Sequence, residues 1–442
     1  MPRVLRGQVY IGLIISMGLL TILSQTIISL VLTSYETLTY TDARANAKQI
    51  ATEQMETIRN LPYNSVGTVG GIPSGTLPQN LTVSRNGLNY TVKITIIYID
   101  DPFDGTAPND LLPTDYKRVR VDVSWGGIGA SRGDTITLIT DVAPNGVETT
   151  NGGGTLMILV FDSSGKAVPQ ANVNIVATSV NPPVNLTITT DINGLVILPG
   201  ALPCNSCYQI TVTKTNYSTD RTYSTAEVIN PAKPWQSVLQ SQLTQVSFAI
   251  DSVSTLQMKS TNDRASGFSP LASQQFRLRG SKTIGTDSQG LPVYKYDQTL
   301  TTDGSGNLTL NNMEWDTYQF TSLNSSYNLS GSYPLLPVVL NANTTLPFSF
   351  SLTSSSSNSL LTIFTDPANN PISSVSASIS TGALTATASS GLSTNPDFGQ
   401  AFFSSLQNVT YQLLATVSGY LNYSGTVNVI GSSVEKVIMT PQ

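Results

Sequence analysis

The chain's only thiols are Cys204 and Cys207, and its 442 residues include no histidine. Without imidazole there is no Ser-His-Asp or Cys-His catalysis and no His-ligated metal. A cysteine zinc site needs a second pair, and none exists. A thioredoxin-type Cys-x-x-Cys opens a helix within a βαβ unit. Here the pair lies between Leu202-Pro203 and the strand-like Tyr208 to Val212. The spacing therefore predicts a small loop-pinning disulfide in an oxidising compartment, with redox or metal chemistry as the alternative.

One loop concentrates acids: Asp100, Asp101, Asp104, Asp110 and Asp115. Calcium takes several oxygens from a flexible loop. The spacing is not that of an EF-hand, and turn residues beside Pro102 and Gly105 explain the same acids. Glycine-rich stretches lack a phosphate-binding lysine. No nucleophile–base pair, metal cluster or cofactor site emerges, so contact rather than catalysis is expected.

Only 11% of residues are charged and the net charge is -5, against about a quarter charged in ordinary globular chains. Hydroxyls and amides carry the surface. The single basic tract, Lys117-Arg118-Val119-Arg120, is too short for a nucleic-acid footprint, and no nucleic acid is expected as a partner. Ten Asn-x-Ser/Thr sequons occur, among them Asn80, Asn185 and Asn408. They fit an exported surface, and a chain this rich in Asn, Ser and Thr makes most of them by composition.

The length suggests about three or four domains. At the start, Arg3 and Arg6 precede an apolar run from Val9 to Leu32, and no charge follows until Glu36. The run is long enough to cross a hydrocarbon core of ~30 Å, with the basic end cytoplasmic. It is too long for a cleaved signal, and no small-x-small site follows it. Ala43, Ala47, Ala51, Met55 and Ile58 then recur at helical spacing, and Pro62 ends the pattern. A helix from Val9 to Asn60 would be about 78 Å long.

Arg6-Gly7-Gln8, the long apolar helix, and the ending Ala51 to Tyr63 together resemble a type IV prepilin of the minor, pseudopilin-like kind, over residues 1 to 145. The resemblance implies cleavage between Gly7 and Gln8 by a prepilin peptidase and methylation of Gln8. It also implies packing of the helix against other pilin subunits. The family usually places a glutamate where this chain has Gly12. That carboxylate pairs with a neighbour's terminal amine, so its absence suggests a tip or initiating position, or else sparse incorporation. A charge in mid-bilayer costs ~2.5–3.5 kcal/mol, which is why such a pair draws subunits together.

Beyond the helix, Asn86-Gly87 marks a hairpin. Leu88, Tyr90, Val92, Ile94, Ile96 and Tyr98 alternate on one face, as do Val119, Val121, Val123 and Trp125. The expected domain is a helix on an antiparallel sheet.

After a linker the chain repeats. Asp191 and Gly194, Asp303 and Gly306, and the looser Asp397 and Gly399 recur, each followed by a tyrosine pair nine residues apart: Tyr208 and Tyr217, Tyr318 and Tyr327, Tyr411 and Tyr420. The aspartate bonds backbone amides two residues on and the glycine supplies positive φ, which makes a strand-to-strand turn. Many short strands with such turns indicate β-sandwiches. The units resemble carboxypeptidase regulatory-like, immunoglobulin-like modules. That resemblance implies a turn at Thr-Asp-x-x-Gly and a corner at Gly419-Tyr420, with Asn216-Tyr217 and Ser326-Tyr327 as altered versions.

The fold class is thus mainly β with one long N-terminal α-helix. The expected organisation is a leader at 1–7, a helix at 8–61, a pilin-like sheet at 62–145, a linker at 146–154, and sandwiches at 155–250, 251–353 and 354–442. The function expected is a minor pilin or pseudopilin of a type IV pilus or secretion-type filament. It would be held in the membrane before assembly and would present modules to a surface or cargo ligand. Trp235, Trp315 and the tyrosines are candidate anchors, with core or interface packing as the plainer role. The alternative is a membrane-anchored surface protein that never enters a filament.

Overall fold

The computed structural model describes residues 5–101, 115–126, 135–144, 153–382 and 384–442, with side chains from Leu13 onward. Mainly β architecture with one long N-terminal helix is what it contains.

Helix α1 (Leu5–Arg59) is continuous over 55 residues, about 82 Å. It starts upstream of the expected first residue, Gln8. Nothing between Leu5 and Gly12 breaks a helix, and a single glycine costs only about 1 kcal/mol. It ends two residues before the expected Leu61, because Pro62 cannot continue the ladder and the last turn closes through Leu61 N–H to the Ile58 carbonyl at 3.1 Å.

The outer half of α1 packs on a four-stranded antiparallel sheet in order β1 (Asn80–Arg85), β2 (Leu88–Ile99), β3 (Tyr116–Trp125), β4 (Thr135–Val142). Asn86 and Gly87, with φ of 50° and 77°, turn β1 into β2, which is the geometry a two-residue hairpin requires. Ala47, Ile50, Ala51, Met55 and Ile58 meet Tyr90, Val92, Ile94, Ile96, Val119, Val121 and Val123 in one core. Period 2 from the strands and period 3.6 from the helix converge on this layer.

Three sandwiches follow. In the first, Gly154–Phe161 pairs with Leu195–Ala201 and with Leu243–Ala249. The opposing sheet holds Asn172–Ala177, Val184–Thr189 and Cys204–Thr213. In the second, Ser254–Asn262 pairs with Asn307–Met313 and Thr345–Ser354. In the third, Ser359–Thr365 pairs with Gln400–Phe403 and Ser432–Ile438. In all three the first strand runs parallel to the last. The chain therefore enters each module at one end and leaves at the other, which suits modules joined in series.

The junctions are built structures. Ile72, from the helix–sheet domain, is buried in the core of the first sandwich, and Asn185 N–H donates to the Gly70 carbonyl at 2.7 Å. The first sandwich lends the two-residue strand Asn230–Pro231 to a hairpin of the second, Thr283–Thr286 with Pro292–Tyr294.

Candidate assembly and contact surfaces

Among the described residues the most exposed apolar object is the first half of α1. Thirteen large apolar side chains between Leu13 and Leu32 are uncovered, Leu20 at 64%. Burying one such side chain is worth ~1.5–3 kcal/mol, so leaving them all in water forfeits roughly 20–40 kcal/mol. That exceeds the whole net stability of a typical domain. The segment therefore needs lipid or protein around it on every side. It is long and apolar enough to cross a membrane, the one such helix among the described residues. Hydroxyls in this stretch satisfy themselves: Ser16, Thr21, Thr26 and Ser29 donate to carbonyls three or four residues back at 2.8–3.0 Å. Gly7, Gln8 and Gly12 all lie within α1, and their surroundings, like Arg3 of the leader, are outside the described side chains.

Where the helix meets its domain, one lysine closes the joint. Lys117, at the start of β3, is 2% exposed. Its ammonium donates to the Tyr63 carbonyl at 2.8 Å and the Val66 carbonyl at 2.7 Å. It also sits 4.4 Å from the centre of the Tyr63 ring. These carbonyls belong to the short turn that follows Pro62, and the Tyr63 carbonyl also accepts from Val66 N–H at 3.1 Å. Burial lowers the Lys117 amine to about 8, because desolvation disfavours the charged form.

The acidic loop is only partly described. Asp101 N–H donates to the Asp115 carboxylate, while Asp104 and Asp110 lie outside the described residues. Among the described residues no cluster of three metal-binding side chains exists.

Cys204 and Cys207 are disulfide-bonded at the start of the strand Cys204–Thr213, with Ser206 at φ 49° between them. The bond pins the turn leading into this strand, whose Tyr208 is fully buried.

The repeated turn motifs divide into two kinds. Asp191 accepts from Asn193 N–H and Leu195 N–H, both at 2.8 Å. Asp303 accepts from Ser305 N–H and Asn307 N–H, also at 2.8 Å. Gly194 and Gly306 follow at φ 71° and 75°. A Cβ on Gly194 would stand 2.3 Å from the Val160 carbonyl oxygen, and one on Gly306 2.7 Å from that of Ser260. Both glycines are thus required by φ and by close approach. Asp397 departs from the turn role expected of it. It stands two residues before Gly399 instead of three, and the position three before is Pro396. Its carboxylate turns away and receives Arg264 of the second sandwich, with Nε–Oδ2 at 2.9 Å and Nη2–Oδ2 at 2.5 Å. Gly399 keeps its place, accepting from Phe364 N–H at 2.8 Å as Gly194 does from Val160.

The tyrosine pairs also split by role. Tyr208, Tyr318 and Tyr411 are the buried members. Tyr208 donates to the Leu202 carbonyl at 2.9 Å, Tyr318 to the Glu314 carbonyl at 2.8 Å, and Tyr411 accepts from Gln407 N–H at 2.9 Å. The hydroxyl-to-backbone corner therefore belongs to these first tyrosines, as in immunoglobulin-like sandwiches. At Gly419-Tyr420 the chain itself turns, with Gly419 at φ 85° and Tyr420 N–H donating to the Val417 carbonyl at 3.3 Å. Tyr217, Tyr327 and Tyr420 instead bridge through their backbones to Ser252, Ser354 and Pro441, at the ends of their modules. Trp315 lies under the Lys282 ammonium, 3.2 Å from its ring centre, at the junction of the first two sandwiches. Trp235 donates its backbone N–H to the Tyr223 carbonyl at 3.3 Å near the same junction. Asn80, Asn185 and Asn408 are all exposed.

No family model matches the chain, and no curated protein matches it in sequence. Among solved structures it is similar to the Bacillus anthracis TIE protein, at 14% identity over 82% of this chain and 73% of that one, with a TM-score of 0.20. It is also similar to a streptococcal ancillary pilin, at 11% identity over 66% and 99%, TM-score 0.18. A third similarity is to the minor pilin GBS52 of Streptococcus agalactiae, at 12% identity over 42% and 96%, TM-score 0.18.

Proposed function

We propose that this chain is a minor pilin or pseudopilin subunit, held in a membrane by the first half of α1 and then packed by it among other pilin helices in a filament. The carrying observation is the division of α1. One half is covered by its own sheet, and the other is apolar and uncovered all round. A helix of that kind moves from lipid into a bundle of similar helices without passing its side chains through water. The sandwiches then act by contact with a surface or cargo ligand, and no catalytic role is assigned to them.

The proposal includes processing by a prepilin peptidase between Gly7 and Gln8. Mass spectrometry of the native protein should find methylated Gln8 at the N-terminus; retention of Met1 to Gly7 sinks this part of the reading. Gly12, which cannot supply the family's carboxylate, supports a place at or near the tip. Under that reading Gly12→Glu redistributes the protein along the shaft, and an unchanged distribution counts against it.

A second reading is favoured by one feature. The helix runs unbroken through Gly7 and Gln8 back to Leu5, as in an uncleaved anchor. The chain would then be a surface protein tethered by a single span with its sandwiches outside. The same mass measurement separates the two.

A further inference from the structure

Within the apolar half of α1, Gln25 stands apart. It is exposed, and it has two amide donors and an acceptor but bonds nothing in its own helix. The neighbouring hydroxyls of Thr21, Thr26 and Ser29 return to carbonyls of the preceding turn, and Ser24 can do the same. A glutamine amide cannot be satisfied so easily from its own helix. In hydrocarbon an unpaired polar group costs free energy that a neighbouring helix can recover.

The face that carries Gln25 is fixed by helical arithmetic. Eighteen residues make about five turns, so Gln25, Ser29 and Thr33 stand in line with Ala43, Ala47 and Ala51. Those alanines are fully buried under the chain's own sheet. The face is therefore covered by β-sheet above and left open below, where Gln25 and Ser29 stand among the exposed apolar side chains of Ile22, Ile28 and Leu32. A Cβ placed on Gly18, two turns before Gln25, would meet nothing.

We infer that Gln25 is the hydrogen-bonding centre of a docking face for a membrane-spanning helix of another protein. That helix supplies an amide, hydroxyl or carboxyl side chain at the depth of Gln25 and ends at the membrane surface, beneath the sheet. A second copy of this chain is a poor occupant. Two parallel copies meeting through this face would bring both sheets between the helices. Two sheets between two helices need roughly 30 Å, whereas helices pack at ~8–10 Å. The inference rests on the reading of α1 as a membrane span, and it adds which face recruits and by what chemistry.

The test uses the full-length chain, labelled at its C-terminus, in phosphatidylcholine vesicles. The probes are two synthetic Leu/Ala membrane-spanning peptides, one with a single glutamine about a turn outward from its midpoint, the other with leucine there. Energy transfer should show the glutamine peptide binding wild-type chain on the order of tenfold more tightly than Gln25→Leu. The leucine peptide should bind both alike. Equal binding of the glutamine peptide to wild type and Gln25→Leu, in chain that floats with the vesicles, overturns the inference alone. Transfer between two wild-type copies that vanishes in Gln25→Leu overturns it in favour of self-pairing. Failure of the chain to float with the vesicles overturns the membrane reading and the inference with it.

Discussion

Arg264 and Asp397, 133 residues apart, meet across the junction of the second and third sandwiches. Arg264 opens a one-turn 3-10 helix whose N-cap, Asp263, accepts from Ser266 N–H at 3.0 Å. Its guanidinium also donates to the Ser389 carbonyl at 2.8 Å. Beside it, the Gln400 amide exchanges two hydrogen bonds with the backbone of Ser332, at 3.2 and 2.6 Å, and donates a third to the Phe398 carbonyl at 3.1 Å. Gly331 leaves the room for this approach, since a Cβ there would stand 2.5 Å from the Asp397 Cβ.

Asp397 is 6% exposed, and burial raises its carboxyl above its ordinary value even though Arg264 pulls the other way. Arg264→Leu leaves that carboxylate buried without its cation. Because Arg264 itself is partly exposed, the expected loss is about 1–3 kcal/mol, between the values for surface pairs and for broken buried pairs. The sign of the pH dependence follows. A carboxyl whose folded pKa is raised takes up a proton on folding, so its penalty is present above that pKa and relieved as pH falls through it. Urea midpoints should therefore show the gap between Arg264→Leu and wild type narrowing in acid. A gap that widens in acid removes the assignment.

The tyrosine pairs offer an internal control. Tyr208→Phe removes the bond to the Leu202 carbonyl and should cost about 1 kcal/mol. Tyr217→Phe removes a hydroxyl from a half-exposed ring and should cost under about 0.5 kcal/mol. Burial pushes the Tyr208 hydroxyl up to about 12, so it remains a donor, and the difference between the variants should hold from neutral pH to about pH 10. Equal losses from the two changes would remove the distinction between corner and closing residue.

The disulfide closes a very short loop. Chain entropy predicts about 2 kcal/mol or less from such a bond. Cys204→Ser with Cys207→Ser should accordingly leave a folded chain, with thermal unfolding lowered by only a few degrees. Loss of folding would mean that the bond organises more than the turn before Tyr208.

What could be read from sequence was whatever repeats locally. The alternation Tyr90, Val92, Ile94, Ile96 and the helical spacing Ala43, Ala47, Ala51 are periodic, and both describe surfaces that meet in one core. The junctions have no such signal. Asn230–Pro231 is a two-residue strand completed by Thr283–Thr286 of the next module, and two residues carry no period. Ile72 sits in a glycine-rich connection, yet it is buried in the following sandwich. The Arg264–Asp397 pair left one trace: the shortened spacing from Asp397 to Gly399, with Pro396 where a turn-forming aspartate belongs. That trace says the carboxylate does not cap the turn, which still closes through Gln400 N–H to the Asp397 carbonyl at 2.9 Å, but not where the carboxylate goes instead.

Lys117 was legible only as part of a short basic tract, and its burial gives the sharpest pH prediction. The amine titrates at about 8 in the folded chain against an ordinary 10.5. Below about pH 8 it is protonated in both folded and unfolded chains, and the cost of burying the charge is carried in full. Between about 8 and 10.5 only the unfolded chain holds the proton, so stability rises with pH across that window. The gain has an upper limit of about 3 kcal/mol. The neutral amine still donates to the Tyr63 and Val66 carbonyls, so the joint is not lost as the charge goes. Lys117→Met removes the titration and strands the Val66 carbonyl, while the Tyr63 carbonyl keeps the Val66 N–H as its donor. The variant should be less stable than wild type and flat across the same window, as read by denaturant midpoints at half-unit pH steps. A wild-type profile that falls between pH 8 and 10 would mean that the ammonium is stabilised in place, with the two carbonyls and the Tyr63 ring outweighing its loss of water.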